Sequence, residues 1–521
     1  MLATPSDNND KKTPDALLLC QVNILLCVSG SIAAFKALDL VSGLKKLGAN
    51  IAVIMSEEAK RFISPLSFEA LSHNEVLHKD TESWAENAKN KIDFSDINPR
   101  EAKSFDVNKP KSTNHIQYAK WADIVIIAPA TANIIAKIAY GIADNLITQT
   151  LLALNQNKTK ILLAPAMNTQ MFDSIQVQTS LKILQDFGYE IIPPKKALLA
   201  CNTYGMGALA EVEEMIFRTL RAGFDIVGFV ARDCSGISQN HLWQESGFCK
   251  EKNFGQNNNF WKNREVIITG GGASAQIDSV RAISNYSSGK QAIALAKAAY
   301  TLGAKVTLIS SKINGFLPSE IQCLSASTND DYKNAIDYCL QKMDFNNAKS
   351  SDQKSPKNKT IKSKKPVLFM AAALCDYAPK SPKNYKIKKS SLPNLTLDLC
   401  ATQDILASID GKKIYKIGFK AESIDSQNTL QNAITNAKKM LKTKKEGGKE
   451  CACVCLNVLE NDAKNGIDFS PFGADFNSFY LLDSRALASK QDIEFLGKKS
   501  KLALSYEILS FVCASLESTK K

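Results

Sequence analysis

The chain has 521 residues, of which 45% are hydrophobic and 22% charged, and its formal net charge is +13. Because a single domain usually holds about 100 to 200 residues, this length predicts two domains. The composition indicates neither a membrane protein nor a globally disordered one. The lysines concentrate in residues 342–365, 438–449 and 498–521, without a basic helix interleaved with aromatic residues. This pattern favours a solvated surface that attracts phosphorylated small molecules over a nucleic-acid interface.

The thirteen cysteines lack the paired spacing of metal ligands, so we expect reduced thiols. Three of them alternate along an apolar run that is typical of a buried strand: Cys451, Cys453 and Cys455. The apolar stretch 16–28 is interrupted by Gln21 and Asn23 and runs directly into a glycine turn, so it does not fit a signal peptide. We therefore predict a cytoplasmic protein without a membrane segment.

The first half alternates short apolar runs with amphipathic helical stretches. Residues 1–15 are polar, and a disordered tail is predicted over residues 1–20. Strands are predicted at Val22–Val28, Ile51–Met55, Ile124–Ala128 and Ile161–Ala164. This rhythm indicates an α/β domain over residues 21–222, in which helices cover both faces of a mainly parallel sheet. The polar segment 79–114 interrupts the pattern and predicts a surface insertion.

Residues 223–262 break the pattern again and predict a linker to a second domain, residues 263–521. Strands are predicted there at Val266–Thr269, Lys305–Ser310, Val367–Ala372, Ile414–Phe419, Cys453–Asn457 and Phe479–Asp483. The fold class is therefore two doubly wound, Rossmann-like, three-layer α/β domains. The stretch Asn346–Lys365 is rich in Lys, Ser and Asn and predicts a mobile loop.

The turn Ser29-Gly30-Ser31 lies between the first strand and a helix predicted over Ile32–Leu47. Backbone amides and the helix dipole would favour a phosphate at this point. Tight packing explains the same turn equally well. Thr131, which follows Pro129 at the end of a strand, suits a helix N-cap and a cofactor contact about equally.

Four ordered segments resemble the homo-oligomeric flavin-containing cysteine decarboxylases and cover about residues 22–215. They are VSGSIAAFK at 28–36, APATAN at 128–133, ADNL at 143–146 and PAMNTQM at 165–171. The resemblance implies FMN, with flavin sites between the subunits of a trimer. The residues that it assigns to FMN are Ser29, Gly30, Ser31, Ser56, Thr131 and Asn133.

The same resemblance implies the catalytic residues of the first domain. His115 is the expected base for thiol oxidation, and Cys201, in a flap that extends to Gly207, the expected proton donor. Asn168 offers amide donors and an acceptor to the substrate, and Met167 lies beside it, where packing is the competing interpretation. The flap departs from the family pattern at Asn202, Thr203 and Ala208.

Decarboxylation beside a saturated carbon needs an electron sink. A flavin of this family oxidises the cysteine side chain to a thioaldehyde. The carboxylate then leaves as CO2, with its electrons delocalised toward sulfur as an enethiolate, and the reduced flavin returns the hydride as this enethiolate is protonated. No external oxidant is consumed.

In the second domain, the glycine turn Thr269–Ser274 precedes DSVRAISNYSSGK at 278–290. This segment resembles the phosphopantothenate-cysteine ligases, as do AAALCDY at 371–377, KIKK at 386–389 and GFKAE at 418–422. The resemblance implies dimerising domains that use CTP and Mg²⁺. Ala273 and Ala275 replace the usual Thr and Glu of the family.

Roles follow from this resemblance for several residues. Asn285 contacts the acyl-cytidylate, and Lys386 neutralises phosphates during attack. The nucleotide contacts are Asp376, Lys386, Asp404, Phe419, Lys438 and Lys442. The lysine run around the last two allows more than one register, and no metal ligands can be assigned.

Together the two resemblances imply a bifunctional enzyme of coenzyme A biosynthesis. Its ligase half would couple 4'-phosphopantothenate to cysteine, and its decarboxylase half would convert the product to 4'-phosphopantetheine and CO2. Three alternatives stay open: an inactive ligase half, a non-enzymatic regulatory flavoprotein subunit, and a peptide-cysteine decarboxylase in the first half. CTP against ATP also stays open.

Overall fold

The computed structural model describes residues 18–81, 114–227, 259–352, 364–388, 394–424, 429–462, 466–467, 473–488 and 492–518. The chain divides into two compact units, Met1–Lys252 and Asn253–Lys521. Among the helices of the described ranges, none has the length and apolarity needed to cross a membrane.

The N-terminal unit alternates strands and helices, as its sequence predicts. Its strands are β1 (Asn23–Val28), β2 (Asn50–Met55), β3 (Ile124–Ala130), β4 (Lys160–Pro165), β5 (Glu190–Ile191), β6 (Lys195–Leu198) and β7 (Tyr204–Ala208). Its helices are α1 (Lys36–Lys46), α2 (Pro65–Ser72), α3 (Asn114–Trp121), α4 (Ala132–Ala139), α5 (Leu146–Leu152), α6 (Thr169–Asp173), α7 (Ile175–Asp186) and α8 (Val212–Val227).

Five of these strands form a sheet in the order β2-β1-β3-β4-β5, and every neighbouring pair is parallel. Leu26 of β1 pairs with Val53 on one side and Ile126 on the other. All residues of β1 and β3 are buried, which explains their unbroken apolar runs. The strand order reverses between β1 and β3, and the carboxyl ends of strands at such a point commonly form ligand sites.

The C-terminal unit repeats this plan with more strands. They are β8 (Glu265–Gly270), β9 (Ser274–Gln276), β10 (Ala282–Ser284), β11 (Lys305–Ser310), β12 (Gln322–Ser325), β13 (Val367–Met370), β14 (Tyr377–Pro379), β15 (Leu399–Ala401), β16 (Tyr415–Ile424), β17 (Cys453–Asp462), β18 (Gly466–Ile467), β19 (Phe476–Asp483) and β20 (Glu494–Ser500). The helices are α9 (Lys290–Thr301), α10 (Asn329–Asp352), α11 (Ile405–Ser408), α12 (Leu430–Leu441), α13 (Arg485–Ala488) and α14 (Lys501–Ser518).

The main sheet of this unit has the order β12-β11-β8-β13-β16-β17-β19-β20. Its strands are parallel from β12 to β17 and antiparallel at β19 and β20. Thr269, Met370 and Gly418 are paired across β8, β13 and β16. The segments that follow these residues therefore lie at one edge of the sheet. The prediction of two α/β domains with mainly parallel sheets is confirmed.

One helix prediction is confirmed with a difference in its first turn, and one loop prediction was wrong. The helix predicted over Ile32–Leu47 begins as a 3-10 turn, Ile32–Phe35, and becomes α-helical only at Lys36, a common arrangement at helix starts. The loop predicted over Asn346–Lys365 is helical as far as Asp352, because a helix that is already nucleated propagates through polar residues at little cost. Residues 353–363 of that loop lie outside the described residues.

Two other expectations fall largely outside the described residues: the disordered tail 1–20, of which residues 18–20 are described and Leu19 is buried, and the insertion 79–114, of which residues 82–113 are not described. The domain boundaries stay a prediction. Near them, α8 runs to Val227, and Phe260 and Trp261 are buried.

Among the described residues the cysteines form no disulfide, and Cys201, Cys323 and Cys400 are exposed whereas the three alternating cysteines lie in the core. The thiols of Cys451, Cys453 and Cys455 are unpaired and buried. Burial raises the pKa of Cys451 and of Cys453 to about 12 and that of Cys455 well above its ordinary value. These thiols are protonated core side chains.

Candidate functional sites

The loops that leave β1 and β3 are joined by a buried hydroxyl. Ser29 Oγ donates a hydrogen bond to the carbonyl oxygen of Pro129 at 2.6 Å and accepts one from the backbone N–H of Thr131 at 3.2 Å. Ser29 is only 3% exposed. Its hydroxyl therefore holds the two loops together at the reversal point of the sheet.

Hydroxyl groups also cap the helices at this edge. Ser31 Oγ accepts from Ala33 N at 3.3 Å, and Thr131 Oγ1 accepts from Ile134 N at 3.3 Å. Ser56 Oγ, which follows β2, accepts from Ala59 N at 3.2 Å. The N-cap prediction for Thr131 is confirmed.

Two other predicted FMN residues lie at the same edge. A Cβ at Gly30 would meet the Cβ of Glu58 at 2.3 Å, so glycine permits the close approach of the loops after β1 and β2. Asn133 is exposed in the first turn of α4. Helix starts beside hydroxyl groups fit an anionic phosphate, and the predicted FMN residues other than Ser29 are compatible with the phosphate end of the cofactor. The hydroxyl of Ser29 is already used between the two loops.

The segment after β4 meets the flap at Cys201. Asn168 Oδ1 accepts from Gln170 N at 2.8 Å and caps α6, while Asn168 Nδ2 donates to Cys201 Sγ at 3.1 Å. Thr203 Oγ1 lies 3.0 Å from the same sulfur. The hydrogen bond of Thr203 and then that of Asn168 lower the pKa of the exposed Cys201 thiol below its ordinary value. Stabilising the thiolate makes this thiol a better proton donor.

Glycines let the β6–β7 hairpin pack closely on this segment. The N–H of Met167 donates to the carbonyl oxygen of Gly207 at 2.9 Å. Gly207 has φ +132°, and a Cβ there would lie 2.2 Å from the carbonyl oxygen of Met167. At Gly205 a Cβ would meet Thr169 Oγ1 at 2.3 Å. Glycine at both positions of β7 therefore allows the hairpin to lie directly against the segment from Met167 to Thr169.

Met167 and His115, the two other residues predicted for this site, are both half-buried. Met167 is half-buried and packs against the core of the unit, which agrees with the packing interpretation. His115 is half-buried in the first turn of α3. Its role as a base stays a prediction.

In the C-terminal unit, the glycine turn after β8 pairs with the segment after β13. Ala373 N donates to Gly271 O at 2.9 Å, and Ala273 N donates to Ala373 O at 3.0 Å. Asn285 joins this arrangement through Nδ2, which donates to the carbonyl oxygen of Leu374 at 2.6 Å. Asp376 lies two residues further along. The structure thus brings the glycine turn, Asn285 and the Asp376 segment together.

Lys386 is exposed, and its segment is fixed by a buried carboxylate. Asp278 Oδ2 accepts from Ile387 N at 3.1 Å and pairs with Arg281, whose Nη2 donates to Ile387 O at 2.9 Å. The bond from Arg281 lowers the pKa of Asp278 well below its usual range. Because both polar groups of the Ile387 backbone are held, the neighbouring Lys386 is placed close to the DSVRAISN segment.

The remaining predicted nucleotide residues are more dispersed. Phe419 follows Gly418 at the carboxyl edge and stacks edge-on against Phe479 with ring centroids 5.8 Å apart. Asp404 accepts from Ala407 N at 2.9 Å, caps α11 and pairs with Lys449 at 2.8 Å.

The two predicted lysines of this region lie in different environments. Lys438 is half-buried on the helix, whereas Lys442 lies just beyond its last residue and is exposed. Lys442 O accepts from Glu450 N at 3.0 Å, next to the chain entering β17. Lys442 therefore lies near the amino end of β17, at the edge of the sheet opposite to Asp376.

One group of possible metal ligands occurs among the described residues, and it lies in the N-terminal unit: Glu57, His78 and Asp80. The ammonium of Lys60 lies 2.9 Å from Glu57 Oε2 and 2.7 Å from Asp80 Oδ2. Because this ammonium already balances both carboxylates, the group is an ion cluster rather than a metal centre.

Comparison with known proteins follows the two-unit division. Residues 17–221 match the family model "Flavoprotein". Residues 261–367 and 345–515 match the model "DNA/pantothenate metabolism flavoprotein C-terminal domain". The coenzyme A biosynthesis bifunctional protein CoaBC of Bacillus subtilis is 32% identical over 504 residues, which cover 95% of this chain and 98% of the relative. The chain belongs to this bifunctional family.

Two further similarities concern the N-terminal unit alone. A probable phosphopantothenoylcysteine decarboxylase of Streptococcus mutans is 41% identical over 193 residues, covering 37% of this chain and 94% of the relative. The solved structure of the FMN binding protein AtHal3 is 31% identical, covers 39% of this chain and 97% of its own, and has a TM-score of 0.31. As a member of the bifunctional family, the chain is an enzyme of coenzyme A biosynthesis with a flavoprotein decarboxylase domain followed by a ligase domain.

The sequence prediction missed two contacts within the candidate sites. Thr203 was noted only as a departure from the family pattern, although its hydroxyl contacts the thiol of Cys201. The Asp278–Arg281 pair lay inside the recognised segment but received no role. Its spacing of three residues, an Asp followed by an Arg, is a signal that could have been used.

Proposed function

We propose that the C-terminal unit condenses 4'-phosphopantothenate with cysteine at the expense of CTP, and that the N-terminal unit decarboxylates the product to 4'-phosphopantetheine with FMN. The observation that carries the proposal is the contact of Asn168 with Cys201, because it joins two segments that lie 33 residues apart and that the decarboxylation requires together. Family membership over 95% of the chain supports the coupling of both reactions.

In the decarboxylase half, FMN when bound supplies the oxidation of the substrate thiol and the return of the hydride. The amide of Asn168 orients the substrate carboxylate before CO2 leaves. His115 accepts the proton released in thiol oxidation. Cys201 protonates the enethiolate, and the hydrogen bonds from Thr203 and Asn168 stabilise the thiolate that it leaves behind.

In the ligase half, the substrate carboxylate attacks the α-phosphorus of CTP and releases pyrophosphate. The amine of cysteine then displaces CMP from the acyl-cytidylate. Asn285 stabilises the acyl-cytidylate, and Lys386 neutralises phosphate charge. Asp376 and Phe419 contact the nucleotide, with Asp404 and Lys438 as further proposed contacts, and Lys442 is left out because it lies at the opposite edge of the sheet.

Mg²⁺ enters in this proposal with the triphosphate, in keeping with the ion's habit of retaining water and phosphate ligands. We also propose trimeric contacts of the decarboxylase units, dimeric contacts of the ligase units and a cytoplasmic location. Small molecules are the substrates of the family's pathway, and the proposal includes no nucleic-acid or membrane partner.

The test is an anaerobic assay of the purified, FMN-loaded full chain with 4'-phosphopantothenate, cysteine, Mg²⁺ and CTP. Pyrophosphate and CO2 are followed separately. Asn285→Ala is expected to abolish formation of the amide product. His115→Ala and Cys201→Ser are expected to abolish 4'-phosphopantetheine formation while pyrophosphate release continues.

Controls separate the alternatives. Cys323→Ser, which alters another exposed thiol, should retain both activities. Addition of synthetic 4'-phosphopantothenoylcysteine bypasses the ligase, so CO2 release from it alone would indicate an inactive ligase half. A folded, yellow protein that releases neither product would refute the proposal and favour a regulatory flavoprotein.

A further inference from the structure

The first turn of α10 contacts the segment that carries Asp376. Asn329, the first residue of α10, is half-buried. Its Nδ2 donates to the carbonyl oxygen of Cys375 at 2.7 Å, and its Oδ1 accepts from the N–H of Cys375 at 3.1 Å. The side chain therefore satisfies both backbone polar groups of one residue, as a neighbouring strand would.

A second side chain completes this contact. Thr402 Oγ1 donates to the carbonyl oxygen of Cys375 at 2.6 Å and accepts from Asn329 Nδ2 at 3.3 Å. Thr402 N donates to the carbonyl oxygen of Asp376 at 2.9 Å. The Cys375–Asp376 backbone is thus held from two sides, by residues 46 and 27 positions away from Cys375.

The first turn of α10 also forms a hydrogen bond to the glycine turn that follows β8. The hydroxyl of Tyr332, a fully buried residue, donates to the carbonyl oxygen of Gly270 at 2.5 Å and accepts from Ser311 N at 3.0 Å. The start of α10 therefore supports both loops that meet at Asn285, one through Tyr332 and one through Asn329.

We propose that Asn329 is a positioning residue of the ligase reaction. Its side chain fixes the Cys375 backbone, so that Asp376 and the carbonyl oxygen of Leu374, to which Asn285 is bonded, face the nucleotide. This inference rests on the proposed nucleotide role of Asp376. The amide is required because it presents a donor and an acceptor side by side. A carboxylate of the same shape keeps the acceptor but turns its second oxygen toward the carbonyl of Cys375.

The experiment compares Asn329→Asp with the double variant Asn329→Asp, Asp330→Asn in the full chain. Asp330 is exposed, and the double variant has the same composition and net charge as the natural chain. Thr402→Val removes the second support without adding charge. Steady-state kinetics with CTP are measured for each variant, with decarboxylation of 4'-phosphopantothenoylcysteine and thermal unfolding measured on the same samples.

The KM for CTP is expected to rise about tenfold in Asn329→Asp and in the double variant, the usual effect of losing a polar contact to a buried carbonyl. The kcat should change less than about threefold, and decarboxylation should be unchanged. Thr402→Val should shift the KM in the same direction. A purely structural residue would lower the amount of active enzyme and hence kcat, without raising KM.

Asp376→Ala separates this inference from the proposed function. If Asp376→Ala raises the KM for CTP but Asn329→Asp and the double variant leave it within about twofold, the positioning role is overturned while the nucleotide assignment stands. If Asp376→Ala leaves the KM unchanged, the assignment fails and the positioning role fails with it. Unfolding of the C-terminal unit at the assay temperature in Asn329→Asp would make Asn329 a structural residue and also overturn the inference.

Discussion

Gly207→Ala tests whether the hairpin positions Asn168. The new Cβ would lie 2.2 Å from the carbonyl oxygen of Met167, and the backbone angle φ +132° is one that alanine rarely adopts. The backbone conformation alone costs about 1–3 kcal/mol. Relief of the overlap costs about 1–3 kcal/mol more, because the neighbour is backbone and cannot rotate away. The free energy of unfolding of the N-terminal unit should therefore fall by about 2–6 kcal/mol.

The displacement should also reach the active site. Met167 N donates to Gly207 O, and Asn168 follows Met167 directly, so a shift of the hairpin separates Asn168 from Cys201. We expect kcat/KM for decarboxylation to fall at least tenfold at a temperature where the unit is folded, because misplacement of a reacting group by about 1 Å costs about 100-fold. Ligase activity in the same chain should be retained.

Gly188→Ala is the matched control. Gly188 also has a positive φ, +89°, but no atom lies within 4 Å of a Cβ there. It should cost only about 1–2 kcal/mol, the strain of a left-handed residue with a side chain, and leave decarboxylation intact. The free energy of unfolding in urea and the decarboxylase and ligase activities are measured for both variants. Equal destabilisation by both substitutions with full decarboxylase activity in Gly207→Ala would refute the reasoning.

Two further predictions concern titrating groups. Thr203→Val should raise the pKa of Cys201 toward its ordinary value, because the largest cause of its lowering is removed, so thiol alkylation should begin at higher pH; an unchanged alkylation profile would contradict this. Burial is the main cause that lowers the pKa of Lys501 from 10.5 to about 8, and repulsion from Lys290 adds to it. Between these values this lysine binds more protons in the unfolded chain, so Lys501 contributes a rise of the free energy of unfolding with pH, opposite in sign to the contribution of the buried thiols. Lys501→Met should remove this contribution and lower the slope of the free energy of unfolding against pH in urea titrations from pH 8 to pH 10.5, and the same slope in both proteins would exclude Lys501 as its source.

The sheets could be predicted from the sequence because parallel strands buried on both faces are unbroken apolar runs. β1 and β11 match their predictions within a residue. Helix limits were less predictable. The segment 346–352 has the composition of a loop, yet α10 continues through it, since a formed helix extends more easily than it begins.

The candidate sites could be predicted only as far as motifs extend. Ser29 and Thr131 follow strand ends, a position visible in the sequence. The contacts that fix the loops are different in kind: Asn329 bonds to Cys375 from 46 positions away, and Thr402 bonds to the same residue from 27 positions away. An Asn or a Thr in a polar stretch has no periodicity that would reveal such a partner. Only the three-dimensional path of the chain brings these pairs together.

The burial of the thiols on and beside β17 has a consequence for the chemistry that surrounds the enzyme. In the proposed reactions, cysteine is a substrate and a pantetheine thiol is a product, so small thiols and their disulfides are always close to the protein. Exchange with a disulfide requires an accessible thiolate. Cys451 and Cys453, with pKa values of about 12, cannot supply one. The interior of the ligase domain is thereby kept out of the redox exchange of its own metabolites.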